Sequence, residues 1–283
     1  MTTERQDLPP LRDVIARHKL AAQRRFGQNF LLDLNLTGRI ARAAGDLTQG
    51  TVVEIGPGPG GLTRALLAAG AARVIAIEKD RRCIAALEEL HAVYPDKLTL
   101  IEGDALGRTL GEIGEPPRRV VANLPYNVAT ALLVRWLSEI AAAQDCVVGL
   151  TLMFQKEVAA RLTAAPRSKA YGRLSVLTQW LTEAERLFDV PPRAFTPAPK
   201  VTSTLVRLAP RRAPLFPASL PDLERITAAA FGQRRKMLRQ SLKALGPDAV
   251  DLIDEAGLDG TARAEELDIA DFCALARALA ACE

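Results

Sequence analysis

Residues 53–63 read Val-Glu-Ile-Gly-Pro-Gly-Pro-Gly-Gly-Leu-Thr, an apolar run followed by a glycine-rich turn and the start of a helical pattern. The first, second and fourth glycines have the G-x-G-x-x-G spacing of a dinucleotide fingerprint. Glu78 follows at about the 20-residue separation expected of a ribose-binding acid. The stretch predicts a nucleoside-bearing cofactor on a helix N-terminus. Nicotinamide dinucleotides and S-adenosylmethionine both satisfy it, although Glu54 and the two prolines favour S-adenosylmethionine.

Strand and helix patterns alternate on both sides of this turn. Strand-like runs fall at 51–55, 73–78, 98–102, 118–122, 146–153, 185–190 and 201–208, and helical patterns at 36–44, 62–69, 81–91 and 128–141. Such a series predicts an α/β fold with a mostly parallel sheet. The prolines of 191–199 predict an ordered loop. After residue 210 only helical patterns remain, at 221–231, 233–244, 248–256 and 270–281, so we expect a domain boundary there.

Acidic side chains follow two further strand-like runs. Glu78 ends the run 74–77, and Asp104 comes directly after the run 98–102 and Gly103. Because ligands of open α/β sheets bind at the carboxyl ends of the strands, these acids are expected at the cofactor. A carboxylate at Asp104 suits the adenine amine, and one at Glu78 suits the ribose hydroxyls. Either acid taken alone is an ordinary solvated loop residue.

The next strand-like run ends in Asn123-Leu124-Pro125-Tyr126. The exocyclic amine of adenine is a poor nucleophile because its lone pair is delocalised into the ring. Two acceptors aimed at its N–H bonds draw that lone pair out, and the Asn123 side chain and the Leu124 carbonyl can supply them. Tyr126 offers a stacking face. The alternative is a strand that ends in an ordinary Asn-Pro turn.

Composition excludes several classes of protein. An apolar fraction of 48% is ample for a core, and no run of about 18 apolar residues free of charge or proline is present. The acidic start of the chain does not fit a signal peptide, so we expect a cytoplasmic protein without membrane contact. The four cysteines lack metal-ligand spacing, and with two histidines in the chain we expect no metal site. Trp136 and Trp180 lie in apolar helical patterns and are expected in the core.

Positive charge is segregated along the chain. The stretches 14–32, 158–182, 193–221 and 225–247 contain no carboxylate and hold 19 of the 37 Lys and Arg residues. The remainder of the chain is therefore strongly acidic, with 18 basic against 33 acidic residues. Any one such run is typically a solvated face. Four of them beside adenine-directed motifs indicate a polyanionic partner, namely RNA.

In these motifs the chain resembles the small-subunit ribosomal RNA adenine dimethyltransferases, the KsgA/RsmA family. The resemblance runs from about residue 26 to about residue 245 and rests on the segments 26–31, 54–63, 78–80, 103–105, 123–126, 153–158, 171–175, 195–201 and 234–239. One departure is Ala198, where relatives usually carry another proline.

The resemblance implies a Rossmann-like seven-stranded methyltransferase sheet, its last strand antiparallel, with a small C-terminal all-helical domain. The expected parts are a basic N-terminal arm (1–30), an S-adenosylmethionine-dependent methyltransferase domain (31–210) and a helical RNA-binding domain (211–283). The implied activity is transfer of methyl groups from S-adenosylmethionine to two adjacent adenosines near the 3′ end of 16S rRNA, two on each N6 amine. The product is S-adenosylhomocysteine, and the partner is an immature small ribosomal subunit bound by a monomer.

Specific residues carry over by their match to the family motifs. The expected catalytic residues are Asn123, Leu124, Tyr126 and Phe195, the last as a second stacking face or, alternatively, a core plug. The expected cofactor-binding residues are Gln28, Asn29, Leu31, Gly56, Gly58, Glu78, Lys79, Asp104, Ala105 and Asn123. For Gln28 and Asn29 a helix-capping role is the alternative. The expected RNA-binding residues are Arg24, Arg25, Lys200, Arg234, Arg235, Lys236 and Arg239.

Rival interpretations remain. A related enzyme type methylates 23S rRNA, but the segments 171–175 and 195–201 favour the small-subunit type. A DNA adenine methyltransferase commonly has two prolines in the tetrapeptide and needs a duplex-reading element. A non-enzymatic assembly factor would bind the immature subunit with methylation secondary. An NAD-dependent oxidoreductase fits the glycines alone.

Overall fold

The computed structural model of the chain describes residues 8–143, 145–246 and 249–282. The strands are β1 (Phe30–Leu31), β2 (Thr51–Ile55), β3 (Val74–Glu78), β4 (Leu98–Glu102), β5 (Arg118–Ala122), β6 (Gly149–Gln155), β7 (Thr182–Val190), β8 (Phe195–Thr196) and β9 (Ser203–Pro210). The helices are α1 (Leu11–Arg17), α2 (Leu34–Ala43), α3 (Gly61–Ala68), α4 (Arg81–Val93), α5 (Tyr126–Ala142), α6 (Lys156–Leu162), α7 (Arg173–Leu181), α8 (Leu220–Gly232), α9 (Leu238–Ser241), α10 (Ala249–Glu255) and α11 (Ile269–Ala281). None of the helices in these ranges has both the length and the apolar character needed to cross a bilayer.

Seven of the strands form one sheet in the order β4-β3-β2-β5-β6-β9-β7. The pairs from β4 through to β6 are parallel, whereas β9 runs antiparallel to both of its neighbours. This is the predicted α/β sheet of seven strands with the last in sequence reversed, so that prediction is confirmed. The parallel strands place the segments that follow β2, β3, β4 and β5 along one edge.

Hydrophobic clusters cover both faces of the sheet. Val53, Ile55 and Val120 face the cluster that contains α5, whereas Val52 and Val121 face the cluster that contains α2 and α3. Every residue of β2 is buried, as expected for a central parallel strand covered on both faces, and Glu54 is thus a buried carboxyl. Trp136 and Trp180 are each 1% exposed, so both tryptophans are core residues as expected.

The C-terminal helices pack on the part that contains the sheet through α7 and the residues beside it. Tyr171, directly before α7, meets Phe231 of α8 edge to face at 5.9 Å, and Phe231 packs on Phe272 of α11 at 5.4 Å. The Trp180 indole N–H donates to the carbonyl of Phe216 at 2.8 Å, which fixes the connection between the two parts. The helical character of the C-terminal region is confirmed. The boundaries at residues 30 and 210 stay predictions.

One predicted helix is wrong. The expected helix over 233–244 is replaced by a turn and two short pieces, α9 and a 3₁₀ segment over Leu242–Leu245. The backbone amides of Leu238 and Arg239 donate to the carbonyls of Ala262 and Gly260 instead of continuing α8. Elsewhere β6 begins at Gly149, three residues later than expected, α7 contains the helical pattern around Trp180, and α1, α6, β1 and β8 were not anticipated.

Trp180→Phe should lower the free energy of unfolding by roughly 1–3 kcal/mol, because it removes buried volume and the bond to Phe216. Urea unfolding checks this. Trp136→Phe is the matched control, since Trp136 is equally buried and its indole makes no hydrogen bond within the described residues. Equal losses in the two variants would mean that the bond to Phe216 adds nothing.

Candidate functional site

The glycine-rich turn joins β2 to α3 and is packed against the N-terminal segment. Gly58 has a φ of +56°, and a Cβ there would stand 2.9 Å from the Phe30 ring. A Cβ on Gly61, the first residue of α3, would stand 2.3 Å from the Leu31 carbonyl oxygen. Glycine is therefore required at both positions, by backbone conformation at the first and by close approach at the second.

Glu78 is held by main-chain amides at the end of β3. Its Oε2 accepts from the amide of Gly58 at 3.1 Å, and its Oε1 accepts from the amides of Lys79 and Asp80 at 2.8 Å each. Burial raises its pKa, and these three bonds oppose the rise. The carboxylate therefore ties the end of β3 to the glycine-rich turn.

Asp104 lies at the end of β4 on the outer side of the same edge. Its Oδ2 accepts from the Lys79 ammonium at 2.8 Å and its Oδ1 from the Leu106 amide at 3.0 Å. The bond from Lys79 is the main reason why the pKa of Asp104 lies below its usual range. Both side chains are about half exposed, so this pair forms the rim of the site.

Glu54 is the buried carboxyl of the site. It is 1% exposed, and its Oε2 has no hydrogen-bond partner within the described residues. Burial raises its pKa to about 8. The dipole of the nearby Thr63 hydroxyl moderates this rise in the pKa of Glu54, although no hydrogen bond of standard geometry joins the two side chains. A buried acid without a partner in a cleft is typical of a group whose partner is a ligand.

The Asn123-Leu124-Pro125-Tyr126 segment lies between β5 and α5. The Asn123 side-chain Nδ2 donates to the Asn29 main-chain carbonyl at 2.9 Å. That bond identifies the amide nitrogen end and leaves Oδ1 as an acceptor. Pro125 precedes the first turn of α5, and its carbonyl accepts from the amides of Val128 and Ala129.

Tyr126 begins α5 with its ring half-buried. Its hydroxyl is 2.5 Å from Ser203 Oγ at the start of β9, and Ser203 is fully buried. The ring is thus anchored at its polar end, and the residue lines the cavity. Burial raises the pKa of the phenol, so the hydroxyl stays neutral near pH 7.

The N-terminal segment closes the site from the other side. Gln28 Nε2 donates to Asp80 Oδ2 at 2.9 Å, and Gln28 Oε1 accepts from the Gln23 amide at 2.8 Å. Asn29 Nδ2 donates to the Gly27 carbonyl at 3.2 Å. Neither side chain caps a helix, so that alternative is wrong. Beyond them, Leu31 of β1 pairs antiparallel with Phe195 of β8.

These elements surround one cavity. All ten of the expected cofactor-binding residues line it, together with Leu124 and Tyr126, and the lining also includes Glu54, Phe26, Phe30, Pro125 and Asn127. The sequence interpretation had cited Glu54 only as a sign of cofactor type. Its place two residues before the first glycine, near the end of a buried strand, was the signal that it lies in the site.

Phe195 is the exception among the four expected catalytic residues. It does not line the cavity, and it is 4% exposed within a cluster that includes Leu31, Val190 and Leu205. Pairing of β8 with β1 directs the ring inward. The structure therefore corrects the expected stacking position and matches the alternative of a core side chain.

The expected RNA-binding residues fall into different environments. The Arg25 guanidinium lies 4.7 Å from the Phe26 ring centre at the cavity, and Lys200 is exposed. The side chain of Arg24 lies outside the described part of the structure. Arg235, Lys236 and Arg239 are exposed, whereas Arg234 is engaged in contacts within the protein. Across residues 8–143, 145–246 and 249–282, no group of His, Cys, Asp and Glu side chains is arranged to hold a metal ion.

Two solved structures share this architecture. A dimethyladenosine transferase from Plasmodium falciparum superposes with a TM-score of 0.73 over 87% of this chain and 95% of its own, at 24% identity, which supports the fold. The 23S rRNA methyltransferase ErmE superposes with a TM-score of 0.65 over 89% of this chain and all of its own, at 29% identity.

Sequence comparison is more specific. Proteins named ribosomal RNA small subunit methyltransferase A are 65% identical over 272 residues in Rhodospirillum rubrum and 63% identical over 273 residues in Paramagnetospirillum magneticum. Each alignment covers 96% of this chain, and 93% and 95% of the respective relative. A model of the family described as ribosomal RNA adenine dimethylase matches residues 19–281. The resemblance inferred from the motifs is thereby confirmed, and the chain belongs to the ribosomal RNA adenine dimethylase family.

Proposed function

We propose that this chain transfers methyl groups from S-adenosylmethionine to the N6 amines of two adjacent adenosines in the 3′-terminal hairpin of 16S rRNA, giving dimethyladenosines. The observation that carries the proposal is the orientation of Asn123. Its amide nitrogen is bound to Asn29, and its oxygen stays available as an acceptor in the cavity that Glu54, Glu78 and Asp104 also line. The names of the relatives support the substrate class.

The cavity residues fit S-adenosylmethionine. This cofactor is cationic at its methionine end, and the partnerless carboxyl of Glu54 suits that charge. The glycine-rich turn lets the main chain approach the nucleoside closely, with Glu78 and Asp104 at the strand ends for its polar groups. When bound, the cofactor supplies a methyl group already activated by a sulfonium. No covalent enzyme intermediate is then needed.

The chain's own task is to position the adenine amine. Asn123 Oδ1 and the Leu124 carbonyl accept from the two N–H bonds, which localises the nitrogen lone pair for in-line attack. Positioning of this kind supplies several kcal/mol of a barrier. A paired adenine must first be flipped out of its stack at a cost of a few kcal/mol, and the Tyr126 ring offsets part of that cost. The second methylation has a single remaining N–H bond to offer these acceptors.

The wider assignments follow from the family and the charge pattern. We propose a cytoplasmic monomer that acts on an immature small subunit, with 31–210 as the methyltransferase domain and 211–283 as the helical RNA-binding domain behind a basic arm (1–30). Arg25 and Lys200 would contact RNA near the cavity. Arg235, Lys236 and Arg239 would do so from the helical part. Arg24 belongs to the same proposal through its place in the arm.

The decisive experiment is labelled methyl transfer to purified small subunits that lack the modification, followed by nucleoside analysis. Large subunits and 23S rRNA form the parallel arm, because the structure of the 23S rRNA methyltransferase ErmE is also similar. Label in dimethyladenosine of the small subunit alone supports the proposal. Label in 23S rRNA, or in neither RNA, contradicts it.

Asn123→Ala should reduce methyl transfer by about 10²-fold or more, because one of the two acceptors on the amine is lost. The same labelled assay measures it, and sedimentation with small subunits measures binding. Retained particle binding would separate the catalytic role from an assembly role. Methyl transfer within a few-fold of wild type would contradict the acceptor assignment.

Tyr126→Leu should reduce methyl transfer by roughly 5- to 100-fold, since base stacking on an aromatic face contributes about 1–3 kcal/mol. Tyr126→Phe is the matched variant that keeps the ring and loses only the bond to Ser203. Methyl transfer by Tyr126→Phe should stay within about fivefold of wild type in the labelled assay with small subunits. If the two variants lose activity equally, the ring face is not the contributing group.

Glu54→Gln should stabilise the unliganded protein and weaken cofactor binding. The folded-state pKa of Glu54, about 8, lies above its unfolded value of about 4.5. Between these values the folded state binds the proton more strongly, so this group's contribution to stability falls as pH rises from about 4.5 to 8. Glu54→Gln removes this loss of stability at higher pH, because glutamine does not ionise.

Thermal unfolding at pH 5 and pH 8 tests the first part, with the stability gain of the variant larger at pH 8. Calorimetric titration with S-adenosylmethionine tests the second, with affinity lower by about 10- to 100-fold because a charged contact is lost. Unchanged affinity would remove Glu54 from the cofactor's site. A gain in stability that is equal at both pH values would contradict the assignment of the stability change to ionisation of Glu54.

A further inference from the structure

Arg234 makes contacts that differ from those of the two basic residues after it. Its Nε donates to Glu265 Oε2 at 2.7 Å. Its two terminal nitrogens donate to the main-chain carbonyls of Lys169 at 2.8 Å and Ser168 at 3.2 Å. The side chain is about one-third exposed, and so is that of Glu265. A planar guanidinium can bind a carboxylate and two carbonyls at once, which a lysine ammonium does poorly.

The carbonyls that Arg234 binds belong to the loop 165–171 between α6 and α7. Within it Arg167 has a φ of +67°, a left-handed conformation that arginine rarely adopts. The Arg167 amide donates to the main-chain carbonyl of Glu265 at 2.7 Å. Glu265 thus holds the loop twice, once through its own carbonyl and once through Arg234. Strain of this kind persists where the surroundings fix it.

Exposed cations lie on both sides of this contact. Arg167 and Lys169 extend from the loop, and Arg235 and Lys236 follow Arg234 in a turn closed by the Lys236 amide and the Gln233 carbonyl. None of the four has an ion-pair partner within the described residues. The two pairs come from segments more than 60 residues apart in the chain. The side chain of Arg234 joins them directly, beside the Arg167 amide bond to Glu265 and the packing of Tyr171 on Phe231.

We propose that Arg234 and Glu265 are a positioning pair that sets the loop 165–171 against the turn 233–236, so that Arg167, Lys169, Arg235 and Lys236 form one surface for consecutive RNA phosphates. Arg234 itself is then not a phosphate contact. This inference rests on the proposed function, because it assigns the RNA-binding surface of the same enzyme. In the run Arg234-Arg235-Lys236, the first residue then positions the loop and the other two contact phosphates.

The local charges favour a polyanion. The segments 158–182 and 225–247, which carry the four cations, contain no carboxylate. Four acids lie close by, and each accepts a hydrogen bond within the protein: Glu265 from Arg234, Glu266 from the Arg263 amide at 2.7 Å, Asp259 from Thr261 and Asp271 from the Asp268 amide at 2.9 Å. Contacts to phosphates are predominantly electrostatic, so the logarithm of the binding constant falls linearly with the logarithm of the salt concentration. An acidic protein would be the other partner for such a surface, and the test distinguishes it.

Two substitutions separate positioning from direct contact by the sign of their effects. Glu265→Ala makes the surface more positive, so it should strengthen RNA binding if Glu265 is merely a neighbouring acid. A positioning role predicts roughly tenfold weaker binding, because Arg234 loses the carboxylate that orients it on the loop carbonyls, while the main-chain bond from Arg167 to residue 265 remains. Arg234→Lys keeps the charge and should weaken binding similarly. Glu266→Gln is the matched control, which removes a charge one residue away and should leave affinity equal or slightly higher.

The probes are unmethylated small subunits and a 3′-terminal 16S rRNA hairpin, titrated between 50 and 200 mM salt, with polyglutamate as the acidic polypeptide for comparison. Wild type should show a steep salt dependence, with shallower slopes in Glu265→Ala and in Arg234→Lys. Hydrogen exchange should rise over 165–171 in both variants. The affinity for S-adenosylmethionine and the melting temperature of the protein should change little. Arg235→Ala with Lys236→Ala should lower the slope without raising that exchange.

Binding by Glu265→Ala as tight as wild type or tighter would overturn the inference, and so would wild-type affinity in Arg234→Lys. Preference of the surface for an acidic polypeptide over both RNA probes would overturn the choice of partner. If wild type itself neither binds nor methylates small-subunit RNA, the proposed function fails instead. A wild type that methylates normally while Glu265→Ala also binds normally removes only the positioning pair.

Discussion

The hydrogen bond from the Asn123 side-chain amide to the main-chain carbonyl of Asn29 is the constraint on which the site depends. It joins the end of β5 to the N-terminal segment and fixes which end of the amide faces the cavity. The same segment places the Phe30 ring over Gly58 and the Leu31 carbonyl beside Gly61. The glycine-rich turn, the Asn-Leu-Pro-Tyr bend and the N-terminal segment are therefore one assembly. Without the segment, the cavity would lack a wall and the amide would lack an orientation.

Much of the site was accessible from the sequence, because parallel strands bring their carboxyl ends to one edge. A residue that follows an apolar run, such as Glu78 or Asp104, must then lie at that edge. Prediction failed where tertiary contacts decide the outcome. Leu238 continues a helical pattern, but its amide binds the Ala262 carbonyl. Phe195 resembles a stacking residue, yet pairing with Leu31 turns it into the core. Neither partner is near in sequence.

The connection between the catalytic and helical parts is made by packing rather than by a linker alone. Tyr171 precedes α7 and packs on Phe231 of α8. Trp180 lies in α7 and binds the segment before α8. Arg277 of α11 donates to the Pro217 carbonyl at 2.7 Å, which holds the connecting segment from its other side. With Arg234 bound to the loop 165–171, contacts between the two parts lie on both flanks of α7. Cations on the helical part thus keep a defined distance from the cavity.

The short ladder between β1 and β8 links two segments that serve different sides of the cavity. Phe30 faces Thr196 and Leu31 faces Phe195, so the wall next to the glycine-rich turn and the stretch that leads to Lys200 are hydrogen-bonded to each other. Displacement of one strand carries the other with it as long as these bonds persist. The wall of the small-molecule cavity and the segment before Lys200 therefore depend on the same few main-chain hydrogen bonds.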